Sequence, residues 1–318
     1  MRKFLAGLLA GVVVAVSCLY GLGFIEAARA SWYREVAVDG GGNLLLIEYL
    51  GSAVTKVAAE GGYAASETIG QDAFKNAVCT GVDGVGDLFV ADSDGNAIRE
   101  IVAAEGTVKT LAASIAIGPP CSLAIDGSGN IFVFEFRGVK EIVAEGGYAT
   151  VKPLFSGQIG RNGGALDAGG NVFFLDGGAV KELTVASGYT ALTPIASGVY
   201  TLNGSLAIDA AGNLFIATDD EVKEIPAAGG YAEVKTLIKG RYYFPTGKPV
   251  DRNGNLIVVD YPNRRVIQLM AGSGYSQVVT LAVPRDGLAY QAKMFLATKL
   301  GIGTTQRTIV AATKSAGP

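Results

Sequence analysis

The chain has 318 residues, 49% of them hydrophobic and 17% charged, which excludes a disordered chain and allows either two average domains or one large all-β domain. Its 26 basic and 29 acidic side chains leave a net charge of −3 with no basic field, so a nucleic-acid binder is set aside. Histidine is absent, which removes the usual general base near neutral pH and the commonest metal ligand; any chemistry must run on carboxylates, Lys, Tyr, Ser or Cys.

The N-terminus reads as an address. Arg2-Lys3 precedes an apolar run from Phe4 to about Ile25, and Ala28-Arg29-Ala30 precedes Ser31. A basic start, an apolar stretch and a small-x-small site make an export signal cleaved after Ala30. The apolar run is also long enough to stay as an uncleaved membrane anchor, and Ala15-Val16-Ser17-Cys18 offers a third reading as a lipid-attachment site. All three imply export to the periplasm or cell exterior. They make residues 1–30 a signal or anchor and the only expected membrane contact.

The rest of the chain repeats. Asp-x-x-Gly-Asn/Asp occurs at Asp39-Gly42-Asn43, Asp83-Gly86-Asp87, Asp126-Gly129-Asn130, Asp167-Gly170-Asn171, Asp209-Gly212-Asn213 and Asp251-Gly254-Asn255. Successive aspartates lie 44, 43, 41, 42 and 42 residues apart. Before each Asp stands a short β-rich run such as Val36-Ala37-Val38, and after each Gly-Asn a second such as Leu44-Leu45-Leu46-Ile47. The intervening Asp-x-x-Gly-Asn is turn chemistry, with Asp capping its own turn and Gly-Asn supplying positive φ. A third run (Val139 to Val143), a Gly-Gly-Tyr or Ser-Gly-Tyr corner and a fourth run complete the unit. Four strands per 42 residues predict one blade of an all-β β-propeller. The continuously apolar inner strands fit sheets covered on both faces by neighbouring blades.

Farther on, Leu288-Ala289-Tyr290-Gln291-Ala292 and Lys293 to Thr298 mirror the unit around Asp209 with two turn residues deleted. This predicts a degenerate seventh blade over 285–312 in a single propeller domain spanning 31–312, followed by a tail over 313–318. The alternative is six blades with this segment as a closing tail.

Val90-Ala91-Asp92-Ser93-Asp94-Gly95-Asn96-Ala97-Ile98-Arg99 and Val258-Val259-Asp260-Tyr261-Pro262-Asn263-Arg264-Arg265-Val266 resemble the Val-x-Asp-x-x-Asn-x-Arg-Ile core of the NHL-repeat family. The likeness covers 34–281 well and 285–312 weakly, and the family's signature His is missing. It implies a propeller used as a binding platform and specifies no ligand.

Several residue sets invite a functional reading. Five residues after each Gly-Asn/Asp pair stand Glu48, Asp92, Glu135, Asp176, Thr218 (with Asp219 next) and Asp260. They predict an acidic ring on one loop face. Because this acid belongs to the repeat itself, a structural role, accepting hydrogen bonds from its own turn or from cations such as Arg99 or Arg265, is favoured over a cation-binding rim. The recurring Arg99, Lys140, Lys181 and Lys223 read as a solvated outer edge that discourages aggregation. The corner tyrosines 63, 148, 189, 231 and 275 read as structural too. Asp92-x-Asp94-Gly95-Asn96 and Asp251-x-Asn253-Gly254-Asn255 have oxygen spacing suited to calcium, but neither reaches a distal bidentate Glu. Turn chemistry covers both, so no metal or other cofactor is assigned. Cys79 and Cys121 fall at similar places in adjacent repeats. They read either as a disulfide between neighbours or as two small buried hydrophobes.

The connectors between blades depart most from the repeat, and loops on a rigid scaffold carry specificity. They are Gln71 to Ala77, Ile117 to Pro120, Gly157 to Asn162, Val199 to Asn203, and the segment Arg241-Tyr242-Tyr243-Phe244-Pro245-Thr246-Gly247-Lys248. The last combines two cations with three aromatics, the composition of a binding hot spot; a loop burying its own aromatics fits equally. The expectation is a non-catalytic, monomeric binding or sensor scaffold that takes a protein, small-molecule or glycan ligand on its loop face. The alternative is a propeller enzyme. The resemblance implies a calcium-dependent lactonase or a streptogramin-inactivating lyase, and the lyase depends on a His that this chain lacks.

Overall fold

The computed structural model describes residues 33–282 apart from 49–51, 114, 116, 119–120, 199–203 and 261. The expected export segment, seventh unit and C-terminal tail lie outside the described residues.

Six antiparallel sheets follow one another along the chain. Blade 1 is β1 (Tyr33–Val38), β2 (Leu44–Glu48), β3 (Val54–Val57) and β4 (Ser66–Ile69). Blade 2 is β5 (Ala77–Val82), β6 (Leu88–Asp92), β7 (Ala97–Ile101) and β8 (Val108–Ala113). Blade 3 is β9 (Cys121–Ile125), β10 (Ile131–Glu135), β11 (Gly138–Val143) and β12 (Thr150–Ser156). Blade 4 is β13 (Ile159–Leu166), β14 (Val172–Asp176), β15 (Ala179–Leu183) and β16 (Leu192–Ala196). Blade 5 is β17 (Ser205–Ile208), β18 (Leu214–Ala217), β19 (Glu221–Ile225) and β20 (Lys235–Lys239). Blade 6 is β21 (Tyr242–Tyr243), β23 (Leu256–Asp260), β24 (Arg265–Leu269) and β25 (Val278–Ala282), with β22 (Thr246–Gly247) standing apart from it.

The blades pack face to face because their strands are apolar on both sides. Leu88 to Asp92 is buried at every position, and one face of the strand meets blade 1 while the other meets blade 3. Six buried clusters result, one at each joint. The last joins Val36, Val38, Leu44 and Leu46 of blade 1 to Ile257, Val259, Val266 and Leu281 of blade 6. That contact closes the ring at six blades, the alternative to the expected seven. The physical reason is that blade 6 already covers the apolar face of blade 1, which leaves no gap between them.

The turn between the first two strands of each blade is held as its sequence predicts. In blade 1 the Asp39 carboxylate accepts from the backbone N–H groups of Gly41 and Asn43, both at 2.9 Å, and from the Asn43 side-chain amide at 2.7 Å. The Asn43 carbonyl oxygen accepts from the Ala59 N–H at 2.9 Å, tying this turn to the corner between strands three and four. The Tyr63 hydroxyl donates to the Gly42 carbonyl at 3.1 Å, and Tyr189, Tyr231 and Tyr275 repeat that bond in their own blades. These turns and corners therefore share one end of the ring, the turn face. The connectors and the strand two-to-three turns occupy the other end, the connector face.

Cys79 of β5 and Cys121 of β9 are joined as a disulfide across the joint between blades 2 and 3, their Cα atoms 5.4 Å apart. Both are buried, so the bond lies inside the packed joint. Next to it the two inner strands nearly touch: a Cβ on Gly81 would lie 2.6 Å from the Leu123 carbonyl oxygen. Only glycine permits that approach.

Blade 6 departs from the pattern along its inner strand. Tyr243 pairs with Val259 and Val250 with Leu256, so seven steps on one strand oppose three on the other and four residues are extruded. The extruded segment turns toward the axis. Phe244 is fully buried against blades 5 and 6, and its N–H donates to the Ser205 hydroxyl of blade 5 at 2.7 Å. Thr246 and Gly247 (β22) then run parallel to Ala37 and Val38 of β1. The Thr246 hydroxyl lies 2.9 Å from that of Thr80 in blade 2.

Candidate functional site

On the connector face, four carboxylates at the ends of second strands are each engaged by a cation from the third strand of their own blade. The Asp92 carboxylate meets Arg99 at 3.1 Å, Glu135 meets Lys140 at 3.1 Å, and Asp260 meets Arg265 at 2.8 Å; Asp176 pairs with Lys181. The cause is local. Strands two and three run antiparallel, so the acid ending one and the base entering the other fall on the same side across the turn. The third-strand cations expected at a solvated edge thus reach back over the turn. Glu48 ends β2, and its side chain is among those not described.

Asp92 shows how deeply this chemistry belongs to the scaffold. Its side chain is fully buried. It accepts from the backbone N–H groups of Lys75 and Asn76 in the preceding connector and of Gly95 in its own turn, besides Arg99. Burial pushes its carboxyl upward, and the four donors outweigh burial, so its pKa lies below the ordinary carboxylate value. Glu135 likewise accepts from the Gly118 N–H of its connector at 3.2 Å. The ring of acids therefore ties connectors to blades.

Blade 5 breaks the ring with Thr218, whose hydroxyl caps the turn by accepting from the Asp220 and Glu221 N–H groups. Its neighbour Asp219 holds Arg241, the first residue of the aromatic segment, at 2.7 Å. The rest of that segment does not stay on the connector face. Tyr242, Phe244 and Thr246 are buried and Tyr243 is half-buried, whereas Lys248 emerges exposed on the turn face, where its N–H donates to the Val38 carbonyl at 2.9 Å. Residues 241–248 pass through the ring from one face to the other.

One surface feature was missed from the sequence. The tight turn after β10 reads Glu135-Phe136-Arg137-Gly138, and both central side chains are exposed. Phe136 is 48% exposed and is the one exposed aromatic among the described residues. Equivalent turns carry Ser93-Asp94-Gly95 in blade 2 and Gly177-Gly178 in blade 4, while in the sequence Tyr49 and Tyr261 follow the acids of blades 1 and 6. An aromatic directly after the acid that ends strand two was a legible signal, because the sequence places Phe136, Tyr49 and Tyr261 at that same position. Among the described residues, no group of three or more Cys, Asp or Glu is arranged to hold a metal ion.

No protein-family description matches the sequence, and no curated protein matches it either. Solved structures do match in shape. A chain of the nidogen/laminin complex superposes with a TM-score of 0.59 at 15% identity, over 74% of this chain and 92% of that one. A catalytically inactive histidine-to-alanine variant of virginiamycin B lyase from Staphylococcus aureus, solved with quinupristin, gives 0.52 at 10% identity, over 80% and 86%. The hydrazine synthase of Kuenenia stuttgartiensis gives 0.53 at 14% identity, over 77% and 79%. At such identities the likeness is one of fold, and the chain is a β-propeller.

Proposed function

We propose that the chain is an exported, non-catalytic β-propeller of NHL type that binds a partner through its connector face. The observation that carries this reading is the pairing of each described ring acid with a cation of its own blade or, at Asp219, with Arg241. Acids so engaged stabilise turns and are poor candidates for proton transfer. Among the described residues, those left to recognise a partner are the exposed side chains beside the acid ring: Phe136, Arg137 and the Asp219–Arg241 pair. An exposed aromatic beside an arginine is the composition of an interface anchor. Export rests on residues 1–30 of the sequence.

The likeness to a lyase motivates a second reading, an enzyme acting on a ligand such as quinupristin. Against it stands the composition: replacing one histidine leaves the Staphylococcus aureus lyase inactive, and this chain has none.

One experiment addresses both. The full-length protein is incubated with quinupristin, followed by mass spectrometry, and is used in parallel to capture partners from envelope extract. Quinupristin is expected to remain intact, and a partner captured by the native chain is expected to be lost when Phe136→Ser and Arg137→Glu are combined. Ligand cleavage would overturn the non-catalytic reading, and undiminished capture would dismiss the Phe136 turn.

A further inference from the structure

The six joints of the ring are not alike in what holds them. Five are spanned by the chain itself as it passes from one blade to the next, and the joint between blades 2 and 3 also carries the Cys79–Cys121 disulfide. Between blades 6 and 1 no described stretch of chain makes that step. Among the described residues that joint has its buried cluster and one further tie, the segment extruded from blade 6.

This segment is built as a strap. It leaves blade 6 at Tyr243, is pinned to blade 5 by the Phe244 N–H on the Ser205 hydroxyl, and adds β22 to the inner edge of β1. The Lys248 N–H then donates to the Val38 carbonyl at 2.9 Å, and the chain returns to blade 6 through Pro249, whose carbonyl accepts from the Ile257 N–H at 2.7 Å. Two features fit it to that path alone. Gly247 has φ +85°, and a Cβ there would strike the Val38 carbonyl. Thr246 is buried and its hydroxyl reaches both Thr80 of blade 2 and, at 3.5 Å, the Val36 carbonyl of blade 1. Pro245 and Pro249 flank the pair and restrict the backbone on either side.

We propose that residues 244–248 are a latch across the joint between blades 6 and 1, and that the ring opens at this joint before any other. A joint spanned by chain, or by chain and disulfide, gains little freedom when it parts, because its two sides stay tethered. Among the described residues nothing but the strap and the buried cluster holds the joint between blades 6 and 1, so its opening is a local event below global unfolding. The inference concerns the scaffold and stands whether or not the connector face binds a partner.

Amide hydrogen exchange of the full-length native protein, read by mass spectrometry, tests it. Peptides covering 36–38, 244–250 and 256–260 are expected to exchange about tenfold faster than those covering 79–82 and 121–125. Thr246→Val keeps the side-chain shape and removes the hydroxyl. It is expected to speed the first group about tenfold further while leaving 131–135 and 172–176 unchanged. Equal exchange at the two joints in the native chain would overturn the latch, and so would a Thr246→Val effect spread evenly over all blades. The native comparison decides the matter even where the variant fails to fold.

Discussion

At Asp87 the repeat makes an exchange whose consequence is confined to one turn. In five blades an Asn side-chain amide donates to the carboxylate of the Asp that opens the turn, at 2.7–2.8 Å. Blade 2 has Asp87 in that place. Its carboxylate still accepts the Ala103 N–H at 2.9 Å, as Asn43 accepts that of Ala59, but it has no amide proton for Asp83. The same blade has Gly106-Thr107 where five others place Gly-Tyr, so the hydroxyl donor is missing too. Asp87→Asn is expected to supply the missing bond and raise stability by about 1 kcal/mol, read as a higher midpoint in urea with an unchanged slope. The tyrosines explain why the other corners recur so faithfully. Tyr63, Tyr148, Tyr189, Tyr231 and Tyr275 all hold φ of 62–64°, a left-handed backbone that an aromatic residue rarely adopts. Four of them show the hydroxyl bond to a turn glycine that rewards this conformation. Their role was legible from position alone, because a residue repeated at five of the six corners serves the corner.

At the scale of the element, the 241–248 segment separates composition from placement. Two cations and three aromatics in eight residues look like a binding loop, and the same residues serve as an axial strap. Which outcome holds depends on whether the aromatic side chains find a cavity, and that cavity is formed by Ala207, Phe215 and Ala217 of blade 5, far away in sequence. Phe244→Ala is expected to destabilise the fold by about 3–5 kcal/mol, as removal of a fully buried ring does, with the loss read from denaturant unfolding of the full-length chain. A mere surface loop would show a change within about 0.5 kcal/mol. The segment's two cations end on opposite faces, Arg241 on the connector face beside Asp219 and Lys248 on the turn face. They cannot grip one small ligand together. For the same reason the turn after β10, with Phe136 and Arg137 adjacent, is the more compact candidate.

For the molecule as a whole, the repeated turns couple stability to alkaline pH. The pKa values of Tyr63, Tyr148, Tyr189, Tyr231 and Tyr275 are all raised, first by burial and then by nearby carboxylates such as Asp39 and Asp251 around Tyr63. A group whose pKa is higher in the folded state contributes stability that is fully present below its unfolded value, here about 10, and lost as pH rises through the folded value. Unfolding free energy should therefore hold up to about pH 10 and then fall by about 1.4 kcal/mol per pH unit for each tyrosine ionised only in the unfolded chain. Denaturant titrations between pH 8 and pH 11 check this. Replacing Tyr63 and Tyr275 with Phe should make the decline shallower, and an unchanged slope would count against the assignment.

Much of this architecture was readable without coordinates. Six Asp-x-x-Gly-Asn/Asp turns at a period near 42, each between two apolar runs, dictate four-stranded units with both faces buried, because turn chemistry and side-chain alternation are local properties of the chain. The pairing of ring acids with third-strand cations was legible for the same reason, since both belong to one hairpin. Blade number, the disulfide and the fate of the aromatic segment were not. Each depends on residues distant in sequence coming together: Leu281 in one cluster with blade 1, Cys79 bonded to Cys121, Phe244 in one cluster with Phe215. A period defines the repeating unit, whereas closure of a ring is decided where its first and last described units meet, and only the packed joint between blades 6 and 1 reveals that.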